Sequence, residues 1–233
     1  DMLFNIRHLA QIDRIAQMPG FEDAGFETAQ AVLEEAAKFN EGVLAPLNWE
    51  GDKYPSSFHD GKVTTTPGFK EAFHQFAEGG WQGLQHPADF GGQGLPKTIG
   101  AACIEMVNSA NMSFALCPLL SDGAIEALLT AGSDELKATY LENLVSGKWT
   151  GTMNLTEPQA GSDLAMVRSR AEPQPDGATA HVGALAVVLV HHQRNVRPAF
   201  DGGLDQVLDE GLARIFAGAG AGLQDDRRAH LGG

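Results

Sequence analysis

A mainly α protein is predicted, with a helical-bundle domain running to Lys148 and the start of a β domain after it. Three observations predict it. Apolar residues recur at helical spacing up to Lys148, the period changes to two from Trp149, and glycine or proline stands where most of the helical stripes stop.

From Leu3 to Ala16, the residues Leu3, Ile6, Leu9, Ile12 and Ile15 predict a first helix, closed by Pro19-Gly20. Val32, Ala36, Phe39 and Val43 predict a second, with Glu34, Glu35 and Lys38 off the stripe and Pro46 beyond it. Tyr54 to Thr65 reads as loop. Thr66-Pro67 reads as an N-cap with a first-turn proline, before a helix whose Phe69, Phe73 and Phe76 line one core-facing side up to Gly79-Gly80.

Gly83 to Gly94 is glycine-rich, carries His86-Pro87 and reads as a loop with unusual backbone freedom. Three further stripes follow. They are Ile99, Cys103, Met106 and Ala110; Ile125, Leu128 and Leu129, ending at Gly132; and Leu136, Tyr140 and Leu144, ending at Gly147. Ser133, Asp134 and Glu135 favour a helix start by capping and dipole, which needs no functional reading.

After Lys148, Trp149, Gly151, Met153 and Leu155 fall on one face of a strand, with Thr150, Thr152 and Asn154 on the other. Val167, Ser169 and Ala171 alternate against Arg168, Arg170 and Glu172 before a Gln-Pro-Asp-Gly turn at 174 to 177. Three segments result: a helical domain over 1–148, first strands and a turn over 149–177, and an atypical tail over 178–233.

With 233 residues and 43% hydrophobic content, the chain can bury a core. Its formal net charge of -14, from 16 basic and 30 acidic residues, argues against a nucleic-acid partner or a membrane surface. It does not exclude an anionic small ligand held by local donors. Cys103 and Cys117 lack the spacing of a metal knuckle or redox pair, which makes a reduced, cytoplasmic protein the expectation. No leader opens the chain, and no apolar run reaches the roughly 18 residues of a membrane span. His191-His192 point to opposite faces of a strand and have no useful partner, so no metal site is expected. Gly91-Gly-Gln-Gly94 lacks the Lys-Ser or Lys-Thr of a phosphate loop.

The stretch Trp149-Thr-Gly-Thr-Met-Asn-Leu-Thr-Glu-Pro-Gln-Ala-Gly-Ser-Asp163 carries the chemistry. A half-buried strand runs into a turn of small residues, where Pro158 stops the ladder and Gly161 frees the backbone. The hydroxyls of Thr156 and Ser162 can donate to a phosphate or a ring carbonyl, and the pattern reads as a ligand site.

At Thr156 to Asp163 the chain resembles the acyl-CoA dehydrogenase family, whose flavin signature reads approximately Thr-Glu-Pro-x-Ala-Gly-Ser-Asp. The resemblance extends back through Gly132 to Trp149 and Phe90-Gly-Gly-Gln-Gly-Leu95, and covers most of the chain up to Gly177. Asp1 to Asp23, Ser109 to Pro118 and the Met-Asn before Leu155 are most similar to the 3-methylmercaptopropionyl-CoA dehydrogenase-like branch. The resemblance implies FAD as cofactor and an acyl-CoA thioester as substrate, with a glutamate taking the α proton while the β hydrogen leaves as hydride. Met153, Asn154, Leu155 and Thr156 match positions along the flavin ring. Gly161 and Ser162 match the turn near the flavin phosphates, and Ser162 also the acyl-CoA side. The departure at Met153-Asn154, where many members carry Tyr-Cys, leaves the ring contacts less defined than the turn. Acyl pocket depth would depend on helices near Ile99 to Leu120.

No catalytic residue is assigned, because the family's glutamate base comes from a C-terminal helical domain not represented here. Glu157 lies in the motif but matches no base, and a hydrogen-bonding role in the turn is expected of it. Members commonly form homo-oligomers through that same absent domain. Beyond Gly177 the resemblance stops, no lysine follows Lys148, and a shifted reading frame is the leading explanation; the apolar run Ala184 to Val190 is expected to pack poorly. The implied reading is a truncated, inactive flavin-dependent acyl-CoA dehydrogenase, and the alternative is a non-enzymatic helical module without flavin.

Overall fold

A computed structural model describes residues 1–153, 156–168, 170–173, 179–182 and 188–192. Asn154, Leu155, Ser169, the 174–177 turn and everything after His192 lie outside the described residues.

The chain opens with α1 (Met2–Phe4), which widens into a π turn at Asn5–Leu9, and α2 (Ile12–Ile15) follows. The single helix expected from Leu3 to Ala16 is therefore broken, at Gln11, whose φ is 52°. A strict three-residue repeat drifts around an α-helix, so its five apolar residues cannot share one face. Ile6 and Ile12 are buried and Leu9 is 72% exposed.

α3 (Phe26–Phe39) runs through a π turn at Asn40–Leu44 into α4 (Ala45–Lys53). Ala29, Leu33, Ala36, Asn40 and Leu44 take the deepest positions, one step round from the predicted stripe, while Phe39 packs beside Phe76 and Trp81. The expected loop at 54–65 contains a hairpin, β1 (Ser57–His59) against β2 (Lys62–Thr64), with Phe58 opposite Val63. Its two-residue turn is Asp60-Gly61, both at positive φ, which matches the hairpin twist.

α5 (Phe69–Glu78) starts later than predicted. Gly68, at φ 85°, precedes it, and a Cβ there would lie 2.7 Å from Leu47 Cδ2. Thr66 is no side-chain cap; its hydroxyl donates to the Tyr54 carbonyl at 2.9 Å and its own carbonyl accepts from the Phe69 N–H. The phenylalanine face is as expected: Phe73 and Phe76 are buried and meet Phe114 at 6.3 and 5.8 Å between ring centroids.

The 83–94 loop folds back on itself, with Gln93 N–H donating to Gly83 and Leu95 N–H to Leu84. A Cβ on Gly92 would sit 2.1 Å from the His86 carbonyl oxygen, which requires glycine. α6 (Lys97–Ala110) and α7 (Met112–Ala131) then join through Asn111, a buried N-cap. Its Oδ1 accepts from Phe114 N–H at 3.0 Å while its Nδ2 donates to Leu44. By length and mean hydropathy α7 is long and apolar enough to cross a membrane, a departure from the sequence expectation. It buries Phe114, Ala115, Ser121, Ala124, Ile125 and Leu128 and contacts α6, α8 and β3.

α8 (Asp134–Val145) starts at Ser133, whose Oγ accepts from Leu136 N–H. β3 (Trp149–Met153) follows, then β4 (Arg170–Pro173), β5 (Thr179–Val182) and β6 (Val188–His192). β4 pairs antiparallel with β5, and β3 with β6, from Trp149 opposite His192 to Met153 opposite Val188. Two strands beyond Gly177 thus join these ladders by backbone pairing; of the run Ala184 to Val190, residues 184–187 lie outside the described residues. Val188, Leu189 and Val190 suit a pleated ladder, and β3 offers them an edge.

Candidate functional site

The motif is hung on the helical domain through β3. Trp149 packs on Tyr140, 6.0 Å between ring centroids, and against the cluster of Ile125, Leu128, Leu141 and Leu144. Two residues on, Gly151 is buried against α7: its N–H donates to Ser121 Oγ at 3.0 Å, and a Cβ would lie 2.5 Å from Ala124 Cβ. Ser121 is fully buried and its hydroxyl donates in turn to the Cys117 carbonyl. The strand is therefore fixed in height and distance over α7 just before Met153, whose backbone ends β3.

The turn after it is built around Glu157, which is 4% exposed. Glu157 and Ala160 exchange backbone hydrogen bonds of 3.1 and 3.0 Å. The Glu157 carboxylate accepts from Arg168 N–H at 2.9 Å and from Gln159 Nε2. Asp163 Oδ1 accepts from Ala165 N–H and starts a short 3-10 turn, Leu164–Met166. The hydrogen-bonding role expected of Glu157 is the one it has. Its carboxylate holds the turn from inside.

Thr156, Gly161 and Ser162 lie exposed on this turn, and over Gly161 a Cβ would meet only Thr156 Cγ2, at 3.9 Å. Two exposed hydroxyls beside open space suit an anionic or carbonyl-bearing ligand approaching from outside, and these described residues fit a flavin dinucleotide. Asn154 and Leu155 lie outside the described residues, as does the Met153 side chain.

Two features beside the motif were not read from sequence. The first is a polar cluster joining the 83–94 loop to α6 and α7. His86, with no exposed surface, brings Nε2 to 2.7 Å from Asp122 Oδ1, outside the angular range of a good hydrogen bond, and Nδ1 to 3.9 Å from Glu126. Gln85 Nε2 donates to Asp122 at 2.9 Å and Lys97 pairs with Glu126 at 2.9 Å. Burial pushes the Asp122 carboxyl up, but the contacts from His86 and Gln85 and the positive potential of His86 and Lys97 outweigh it and hold it below the usual aspartate range.

The second is a cavity of about 50 Å³ between α3, α5, α6 and α7, bordered by Cys103, Val107, Ala115 and Leu119 with several amide side chains. Burial pushes the Cys103 thiol up to about 11. This space lies between the helices that the sequence pointed to for an acyl pocket. Among the described residues no group of three or more His, Cys, Asp and Glu is placed to hold a metal ion.

Residues 26–148 match the family model for the acyl-CoA dehydrogenase N-terminal domain. The chain is 50% identical over 183 residues to 3-methylmercaptopropionyl-CoA dehydrogenase of Ruegeria pomeroyi, covering 78% of this chain and 31% of that protein. It is 31% identical over 181 residues to a broad-specificity linear acyl-CoA dehydrogenase of Mycobacterium tuberculosis, covering 76% of this chain and 29% of that one. The chain thus spans roughly a third of the length of these curated relatives. Among solved structures, butyryl-CoA dehydrogenase of Megasphaera elsdenii shares the fold at a TM-score of 0.56 and 22% identity, over 66% of this chain and 39% of that one. PigA, solved with FAD and proline, aligns at a TM-score of 0.55 and 25% identity, over 67% of this chain and 38% of that one. With the matched domain covering more than half its length, the chain belongs to the acyl-CoA dehydrogenase family.

Proposed function

We propose that this chain supplies the helical domain and the flavin-facing turn of an FAD-dependent acyl-CoA dehydrogenase. It would act on a fatty-acyl or methylmercaptopropionyl type of thioester, in the cytoplasm, without nucleic-acid or membrane partners. The observation that carries the reading is the exposed turn of Thr156, Gly161 and Ser162, held rigid by the buried Glu157 carboxylate and suspended from a strand locked to α7.

Bound FAD would supply the acceptor for the hydride leaving the acyl β carbon. The protein's part is orientation. Thr156 and Ser162 would donate hydroxyl hydrogen bonds to ring-carbonyl or phosphate oxygens, and the family motif assigns Met153, Asn154 and Leu155 to the ring and Ser162 also to the acyl-CoA side. Gly161 keeps the approach open. Ser121 and Gly151 set the strand's position, and the cavity beside α6 and α7 receives the far end of the acyl group. The α-proton base is assigned to no residue of this chain, and oligomerisation follows the family only where the usual interface domain is present.

The test is the visible spectrum of the purified chain after incubation with FAD and gel filtration. A retained flavin band supports the reading and justifies an acyl-CoA assay. A colourless protein removes the cofactor role and favours a non-enzymatic helical module.

A further inference from the structure

Four amide side chains border the α3–α5–α6–α7 cavity, and each turns its nitrogen towards an oxygen of the protein. Asn40 Nδ2 donates to the Ala36 carbonyl at 2.7 Å, Gln82 Nε2 to the Pro118 carbonyl at 3.3 Å, Gln85 Nε2 to Asp122 and Asn108 Nδ2 to the Ile104 carbonyl at 2.8 Å. These bonds fix which end of each amide is the oxygen. Asn40 and Gln82 are each 5% exposed, and their carbonyl oxygens are buried without a donor among the described residues. Two residues of the wall, Asn40 and Gln82, therefore carry acceptor oxygens that no described donor satisfies.

A buried amide oxygen packed against alkyl surface loses its hydration and gains nothing, whereas a guest with an O–H restores the bond. The volume is about that of a short chain end, since one water occupies roughly 30 Å³ in the liquid. We propose that Asn40 and Gln82 determine substrate specificity, selecting an acyl group whose far end carries a hydroxyl over one that ends in a plain methyl. The inference rests on the reading of this cavity as the acyl end of the site. Donation runs from the guest hydroxyl to Asn40 Oδ1 or Gln82 Oε1, and the apolar wall of Cys103, Val107 and Ala115 accommodates the methylenes before it.

The test is calorimetric titration of the full chain with a matched pair, 4-hydroxybutyryl-CoA and pentanoyl-CoA, which differ by a terminal hydroxyl in place of a methyl. Binding of the hydroxyl ester about tenfold tighter is expected, the value of one well-made buried hydrogen bond. Asn40→Leu and Gln82→Met are each expected to shrink or reverse that ratio. Equal binding of the two esters by the unaltered chain, or a preference that both substitutions leave unchanged, overturns the inference while leaving the acyl-CoA reading in place. Binding of neither ester overturns the acyl-CoA reading and this inference with it.

Discussion

Ser121 and Gly151 meet in a single hydrogen bond that carries the strand of the motif, and its loss has a measurable cost. In Ser121→Ala the Gly151 N–H is left inside without that acceptor, and a loss of about 1 to 3 kcal/mol in unfolding free energy is expected by urea titration. The FAD-binding signal should weaken in the same variant if the strand positions the cofactor. Gly151→Ala drives a Cβ to 2.5 Å from Ala124 and is expected to be worse. Cys103 is 6% exposed with its thiol pushed up to about 11, so alkylation of the native chain at neutral pH should be slow and should accelerate sharply in denaturant. An alkylation rate equal to that of a free thiol would contradict the burial. None of these roles was legible from residue type. A serine inside a helix and a glycine inside a strand reveal their pairing only when the fold brings positions thirty residues apart together.

Helices with strong local signals came out as their sequences read. Phe69, Phe73 and Phe76 fall at four- and three-residue spacing and do face one core, and Ser133 caps α8 with Asp134 and Glu135 in its first turn. Ser133→Ala should cost about 1 kcal/mol, read as a lower thermal midpoint, with Ser133→Asp restoring most of it. Boundaries and breaks read less well. The hairpin at Ser57–Thr64 did carry a local signal, Asp60-Gly61, but its strands are short and exposed, so no alternating apolar pattern marked them. The late start of α5 depends on Leu47 packing over Gly68, a contact between segments that no local pattern encodes.

At the scale of the whole molecule, Asp122, His86, Gln85, Lys97 and Glu126 tie the 83–94 loop to α6 and α7. Because the Asp122 carboxyl is held below its ordinary value in the folded chain, its contribution is present above that value, about pH 4, and is lost as pH falls through and below it. The urea midpoint should therefore drop between about pH 5 and about pH 3, and Asp122→Asn should flatten that limb while lowering stability at neutral pH. An unchanged acid limb in the variant would assign it to other carboxylates. The sequence by itself determined the mainly α class, the change of period at Trp149, the family and the resemblance at Thr156 to Asp163, because those rest on local periodicity and contiguous residue types. Only the tertiary structure decided that Glu157 is buried, that Ser121 holds the strand, and that Asn40 and Gln82 border one cavity with buried, unpartnered oxygens. Each of these depends on segments distant in sequence burying a polar group together, and burial is set by packing, which residue order specifies only through the fold.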